Sequence, residues 1–171
     1  GGGLAGLTLA LQLKQSLPAL DILVVERRVH PVPIAAHKVG ESTVEIGADY
    51  FANVLGLREH LETAQLKKFG FRFFFSDKRS DVDRVTELGA SRPLAVPSYQ
   101  IDRGLFENFL AEEALRRGVT VVCGATVVDL ALSETGSAAT GAAEHRVVFR
   151  ADDVVREARS RWLVDACGRA G

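Results

Sequence analysis

Gly1-Gly2-Gly3-Leu4-Ala5-Gly6 is a complete G-x-G-x-x-G, and the stretch that follows, LAGLTLALQLKQSL from Leu4 to Leu17, is apolar enough for a helix packed under a sheet. Such a motif sits where a buried strand turns into a helix. Pro18 and Asp21 break the helical pattern, and Ile22-Leu23-Val24-Val25 reads as a short buried parallel strand. The strand runs into Glu26, twenty residues past Gly6 and near the spacing of an acid that binds an adenosine ribose. Each glycine then has a task. Gly1 allows the tight turn, Gly3 lets a pyrophosphate approach the backbone, and Gly6 lets the helix sit close to the strand. The helix N-terminus offers unpaired N–H groups and partial positive charge to the phosphates. An acid at position 26 disfavours a 2′-phosphate, so FAD or NAD is expected in preference to NADP. Arg27 and Arg28 follow at once. They lie along the adenosine or form a solvated basic pair, and Arg27 is counted among the candidate cofactor residues.

The 171 residues make about one domain. With 21 basic and 22 acidic side chains there is no electrostatic case for a nucleic-acid partner or an anionic membrane. No apolar run reaches the ~18 residues of a membrane span, and the expected location is cytoplasmic. Cys123 and Cys167 stand 44 positions apart, follow no metal-ligand spacing, and read as small core residues. His30, His37, His60 and His145 are scattered, so no metal site is assigned. The chain has no Met and opens on the motif with no strand in front of it, so it is expected to be a fragment cut at the tip of its first strand.

Further along, Asp77 to about Ser98 reads as a loop, and the low-complexity stretch Glu134 to Glu144 as a second one between strands. Between them, Asp102 can cap a helix from Arg103 to Arg117 closed by Gly118, with Leu105, Phe109 and Leu110 on its apolar face. Strands are expected at 119–122, 125–132, 145–150, 154–158 and 161–165, with Asp152-Asp153 at a turn. The fold expected is α/β, a Rossmann-like three-layer FAD-binding domain that is incomplete and lacks its first strand. Residues 30–100 would be an inserted segment facing flavin and substrate.

Four blocks in this order resemble the FAD-dependent monooxygenase superfamily, which includes para-hydroxybenzoate hydroxylase and the flavin-dependent halogenases. They are GGGLAG at Gly1, VVERR around Glu26, DRGLFENFL with RRGVTVVCGATVVDL from Asp102, and WLVDACGRAG from Trp162. Lys38-Val39-Gly40-Glu41-Ser42-Thr43 is similar to the GE-[SA]-T segment of the halogenases, which lies near the flavin. The resemblance implies that Gly1, Gly3, Gly6 and Glu26 hold the ADP half of FAD, with Ser42 and Thr43 near the flavin. It implies further that Arg103 reaches the flavin phosphate or ribityl region, that Val127 meets the adenine through its backbone, and that Asp165 and Gly168 lie near the pyrophosphate.

Lys68-Phe69-Gly70-Phe71-Arg72-Phe73 is similar to the K-x-[GA]-x-x-F setting of the tryptophan halogenases, whose lysine handles hypochlorous acid. Lys68 is thereby the candidate catalytic residue. The same stretch also reads as a basic pair, Lys67-Lys68, before a strand with Phe69, Phe71, Phe73 and Phe75 on one face. That face would be core or the wall of an aromatic substrate pocket. The halogenase W-x-W-x-I-P motif is not in the chain, nor is the superfamily's later Gly-Asp segment. The expected function is an oxidoreductase that activates O2 at reduced flavin to oxygenate or halogenate a small substrate, aromatic or otherwise electron-rich, and the halogenase branch implies a separate flavin reductase. An FAD-dependent dehydrogenase, or a non-catalytic FAD- or NAD-binding module, stands as the alternative.

Overall fold

The computed structural model describes residues 1–35, 37–76, 78–92, 94–133 and 144–168. The chain divides into two compact units, Gly1–Ala36 with Arg103–Gly171, and His37–Asp102. In the first unit, helix α1 (Leu4–Ser16) leads to strand β1 (Leu23–Val25). α1 forms where the sequence predicts it, because Leu7, Ala10 and Leu11 recur on one face and are buried.

The second unit holds helix α2 (Glu45–Asp49), a π-type turn (Tyr50–Val54), helix α3 (Arg58–Ala64) and strands β2 (Leu66–Lys68), β3 (Arg72–Phe75), β4 (Thr86–Gly89) and β5 (Ser98–Gln100). β2 pairs antiparallel with β5, and β3 with β4. Its core gathers Phe51, Leu55, Leu61, Tyr99 and Ile101. Two expectations fail here. Residues 77–98 are not all loop, because Thr86–Gly89 pairs residue for residue with Arg72–Phe75 as a hairpin. The Phe run is not one continuous strand either. Lys68 ends β2, Gly70 turns the chain at φ 99°, and Phe69, Phe71, Phe73 and Phe75 are all exposed rather than packed in a core.

The first unit resumes with α4 (Arg103–Arg116), β6 (Thr120–Val122), β7 (Thr126–Ala131), β8 (His145–Ala151) and β9 (Val154–Ser160). β1 and β6 run parallel in register Leu23↔Thr120 to Val25↔Val122. α1 packs on α4 and on β1. Gly118, at φ 82°, closes α4 as expected of a left-handed helix stop. The buried face of α4 is Phe106, Glu107, Leu110, Ala111 and Ala114, whereas Leu105 is exposed and Phe109 only half-buried. A helix wedged between α1 and a sheet buries a wider arc than the three apolar positions mark.

β7, β8 and β9 form an antiparallel meander whose β8–β9 turn holds Asp152 and Asp153 at φ 51° and 59°, the conformation of a two-residue hairpin loop. Ala125, Phe149 and Ala151 make a small core against Val25 and Val122. Neighbouring strand residues point to opposite faces, so Val24 and Val25 serve two different layers. The structure is thus mixed helix and strand, with helices, a parallel pair and a meander stacked in the first unit. The strand expected at 161–165 is absent: the segment joins no ladder, and Trp162 is 85% exposed. Its apolar run has no partner strand among the described residues. The expected loop at 134–144 lies, but for Glu144, outside the described residues. Among the described residues no helix is long and apolar enough to cross a membrane.

Candidate functional site

The glycine turn of the first unit is built by close approach. A Cβ at Gly1 would stand 2.2 Å from the carbonyl oxygen of Ala166, and one at Gly6 would stand 1.9 Å from the carbonyl oxygen of Gly1. A Cβ at Gly2 would lie 2.7 Å from Cβ of Glu26. Only the middle of the motif is open: at Gly3 the nearest atoms are Arg28 Nη2 at 3.7 Å and a Glu107 oxygen at 3.9 Å. Gly3 is the N-cap of α1, with no side-chain cap and no acid in the first turn. The first N–H groups of a helix have no intrahelical partner. A bare turn of this kind, with no clash at Gly3, fits a pyrophosphate.

Glu26 is 6% exposed and both its oxygens are engaged. One accepts from the Gly2 backbone N–H; the other accepts from the backbone N–H and the Nε of Arg28, each at 2.9 Å. Burial works against its charge, but those N–H donors and the Arg28 guanidinium outweigh it and hold the carboxyl below its ordinary pKa. The oxygen that takes only the Gly2 N–H keeps a lone pair for a ribose hydroxyl; the one that takes both Arg28 donors has its two lone pairs filled. Arg28 continues to Glu107 on α4 at 3.0 Å, and Arg103 reaches the same buried carboxylate at 2.6 Å. Four charges, two from the segment after β1 and two from α4, therefore interlock beside Gly3.

This arrangement brings together Gly1, Gly3, Gly6, Glu26 and Arg103 of the expected residues. Arg103, on the first turn of α4, faces Glu107 and not solvent, which offsets the cost of a cation at a helix N-terminus. The 165–168 segment abuts the same turn through Ala166. There Asp165 accepts from Cys167 N–H at 2.9 Å, which lowers its pKa, and Gly168 sits at φ 72° in open space. Cys167 is exposed, not the core residue expected; Cys123 is half-buried, and burial pushes its thiol up. Arg27 points to solvent. Val127 lies on β7 opposite Phe149, next to a bulge at 127–129. Gly2 and Glu107 were not among the expected residues, and Arg28, left open between the adenosine and a solvated pair, instead bridges Glu26 and Glu107. The chain's only advance signal for Glu107 is its i,i+4 spacing from Arg103.

In the second unit, Ser42, Thr43 and Lys68 form their own cluster. Lys68 Nζ donates to Ser42 Oγ and to the Thr43 carbonyl, both at 2.6 Å, and lies 4.9 Å from the centre of the Phe71 ring. Thr43 is buried and clamps β5: its hydroxyl accepts from Tyr99 N–H at 2.7 Å and donates to the Tyr99 carbonyl at 2.9 Å. Two motifs 25 residues apart in the chain are thus joined through one ammonium group.

In sequence, the chain is 30% identical over 131 residues to a flavin-dependent halogenase of Dictyostelium discoideum, chlA, covering 72% of this chain and 22% of that protein. It is 28% identical to a 1H-pyrrole-2-carbonyl-[peptidyl-carrier protein] brominase of Pseudoalteromonas luteoviolacea, covering 99% of this chain and 36% of that one. The chain resembles the flavin-dependent halogenases. Solved halogenase structures share the fold: the flavin-dependent brominase Bmp2 at TM-score 0.72, with 23% identity over 99% of this chain and 37% of its own, and the halogenase CmlS at 0.71, with 23% identity over 98% and 28%. A flavoprotein/dehydrogenase of Cytophaga hutchinsonii matches at 0.67, with 20% identity over 95% of this chain and 36% of its own. No protein-family profile matches the chain. The chain spans between about a fifth and two fifths of the halogenases and flavoproteins it matches.

Proposed function

We propose that this chain is the FAD-binding part of an enzyme that activates O2 at reduced flavin to halogenate, or else oxygenate, a small electron-rich substrate, with halogenation the favoured reaction. The observation that carries the reading is the glycine turn: closed to side chains at Gly1 and Gly6, open over Gly3, and backed by a buried, ionised Glu26. In this reading the turn and the start of α1 hold the pyrophosphate, and Glu26 takes the ribose hydroxyls. Arg28 and Glu107 keep Glu26 aimed, while Arg103 and Asp165-to-Gly168 serve the phosphate side and Val127 the adenine. FAD, when bound and reduced, would activate O2, which supplies the oxidising equivalents. Lys68, steadied by Ser42 and Thr43 in the stretch 30–100, holds the oxidant by hydrogen bonding on its way to substrate. A separate flavin reductase and a cytoplasmic location belong to the same reading.

The substrate is a free aromatic or one held on a carrier protein, as the name of the Pseudoalteromonas relative states for that enzyme. The full nucleotide domain is a Rossmann-like three-layer fold. That reading is supported by the 162–165 segment, which joins no ladder, whose Trp162 and Val164 side chains are bare, and whose following residue Ala166 meets Gly1. The test uses the intact protein that contains this chain. Its visible spectrum with FAD is recorded first, followed by an assay with a flavin reductase, NADH, O2 and chloride or bromide on an electron-rich aromatic. Flavin bands with halogenated product are expected. A colourless protein in excess FAD would overturn the reading.

A further inference from the structure

Beside the Ser42–Lys68 cluster the second unit holds a cavity of about 560 Å³ in which Lys67, Lys68, Arg72 and Arg92 converge with Phe69 and Ser91. Gly70, at φ 99°, turns the chain from β2 to β3 so that cations on both sides of it border the same space. No acidic side chain is among the lining residues. Arg72 is tied to Glu87 across the β3–β4 hairpin, and Lys68 gives two of its protons to Ser42 and Thr43. Lys67 and Arg92 therefore bring the charge that this local bonding does not use. Like charges gathered in a concave site raise the local potential, and an anion entering it lowers that cost.

We infer that this cavity is a binding site for a phosphate-class oxyanion. Arg92 and Lys67 supply the main donors, Ser91 offers a hydroxyl, and Phe69 forms an apolar wall for whatever the oxyanion is attached to. Guanidinium and ammonium groups bond phosphate through short, charge-assisted contacts, and the exposed rim makes the attraction weaken with salt. The two sources of such a group are free phosphate and a phosphate ester carried by an organic ligand. All the lining residues belong to the second unit, and the inference does not rest on the FAD reading.

The test titrates inorganic pyrophosphate by calorimetry into the intact protein loaded with FAD, so that the dinucleotide site is filled. The wild type is compared with the double variant Lys67→Gln/Arg92→Gln and with Lys14→Gln as a control. Binding near one equivalent is expected, weakened about tenfold or more in the double variant and unchanged in the control, with equal flavin absorbance and melting temperature throughout. Unchanged affinity in the double variant, or no binding by the wild type, would overturn the inference. Phenyl phosphate binding more tightly than inorganic phosphate marks an ester site; parity marks a free-oxyanion site, and both support the assignment. A protein that takes up no flavin but loses pyrophosphate affinity in the double variant refutes the FAD reading alone.

Discussion

The glycine turn of the first unit and the lysine cavity of the second are made in opposite ways. At the turn, specificity comes from what is missing: no side chain fits at Gly1, Gly2 or Gly6, and the charges nearby are paired, with both carboxylates buried. At the cavity it comes from what is added: exposed cations and bare phenylalanines stand on short two-stranded ladders. A packed turn ties function to stability, because the atoms that shape the site also hold the fold. An exposed cluster separates them. Substitutions in the two regions should therefore fail differently.

The largest effect is expected at Lys68. Lys68→Met should leave flavin uptake and melting temperature unchanged while halogenation falls about 100-fold or more, the usual scale for losing a positioned proton-handling group. Product formation and thermal melting measured together decide it, and a joint loss of both would break the contrast. Gly6→Val should do the reverse. Its side chain would overlap the Gly1 carbonyl, so folding should weaken by about 3 kcal/mol and flavin uptake should fall with it, seen in denaturant melts and absorbance.

Next comes Glu107→Gln, which strips the buried carboxylate from between Arg28 and Arg103. A loss of about 2 kcal/mol is expected, less than for a fully buried pair because Arg28 still reaches water. The smallest effect is a pH dependence. The Glu26 carboxyl is held below its ordinary 4.5, so its contribution is complete above that pH and is lost as pH falls through the lowered value. Wild type should shed stability across that acid range, and Glu26→Gln should flatten that part of the curve. Parallel acid profiles for the two proteins would show that the contacts of Glu26 carry no linkage.

Local signals made most of the first unit legible. α1, β1 and the span of α4 follow from apolar spacing and from Gly118, and the glycine turn from its motif. The partners across the fold were not legible. Arg28 rather than Arg27 turns inward because the chain leaves β1 after Glu26 and bends back, which no spacing rule encodes. Glu107 looks like any exposed helix acid until two arginines close over it. Thr86–Gly89 carries little strand character of its own and is a strand because Arg72–Phe75 pairs with it. The 161–165 run errs the other way, since strand-like residues make no strand without a neighbour. In the second unit the two motifs that resemble halogenases were each visible, but their joining through Lys68 depends on β2 lying against β5 next to the Ser42–Gln100 bridge.

The central claim is that the open middle of the glycine turn exists to admit a dinucleotide phosphate. Gly3→Val tests it most directly, because a Cβ there meets no protein atom closer than 3.7 Å and the backbone, at φ −80°, accepts a side chain. The measurement is the FAD dissociation constant of the intact protein and this variant, with melting temperature recorded on the same samples without FAD. The account predicts an unchanged melting temperature and FAD affinity reduced at least about 100-fold, the loss of the phosphate contacts at the helix N-terminus. Equal FAD affinity in the two proteins would contradict it.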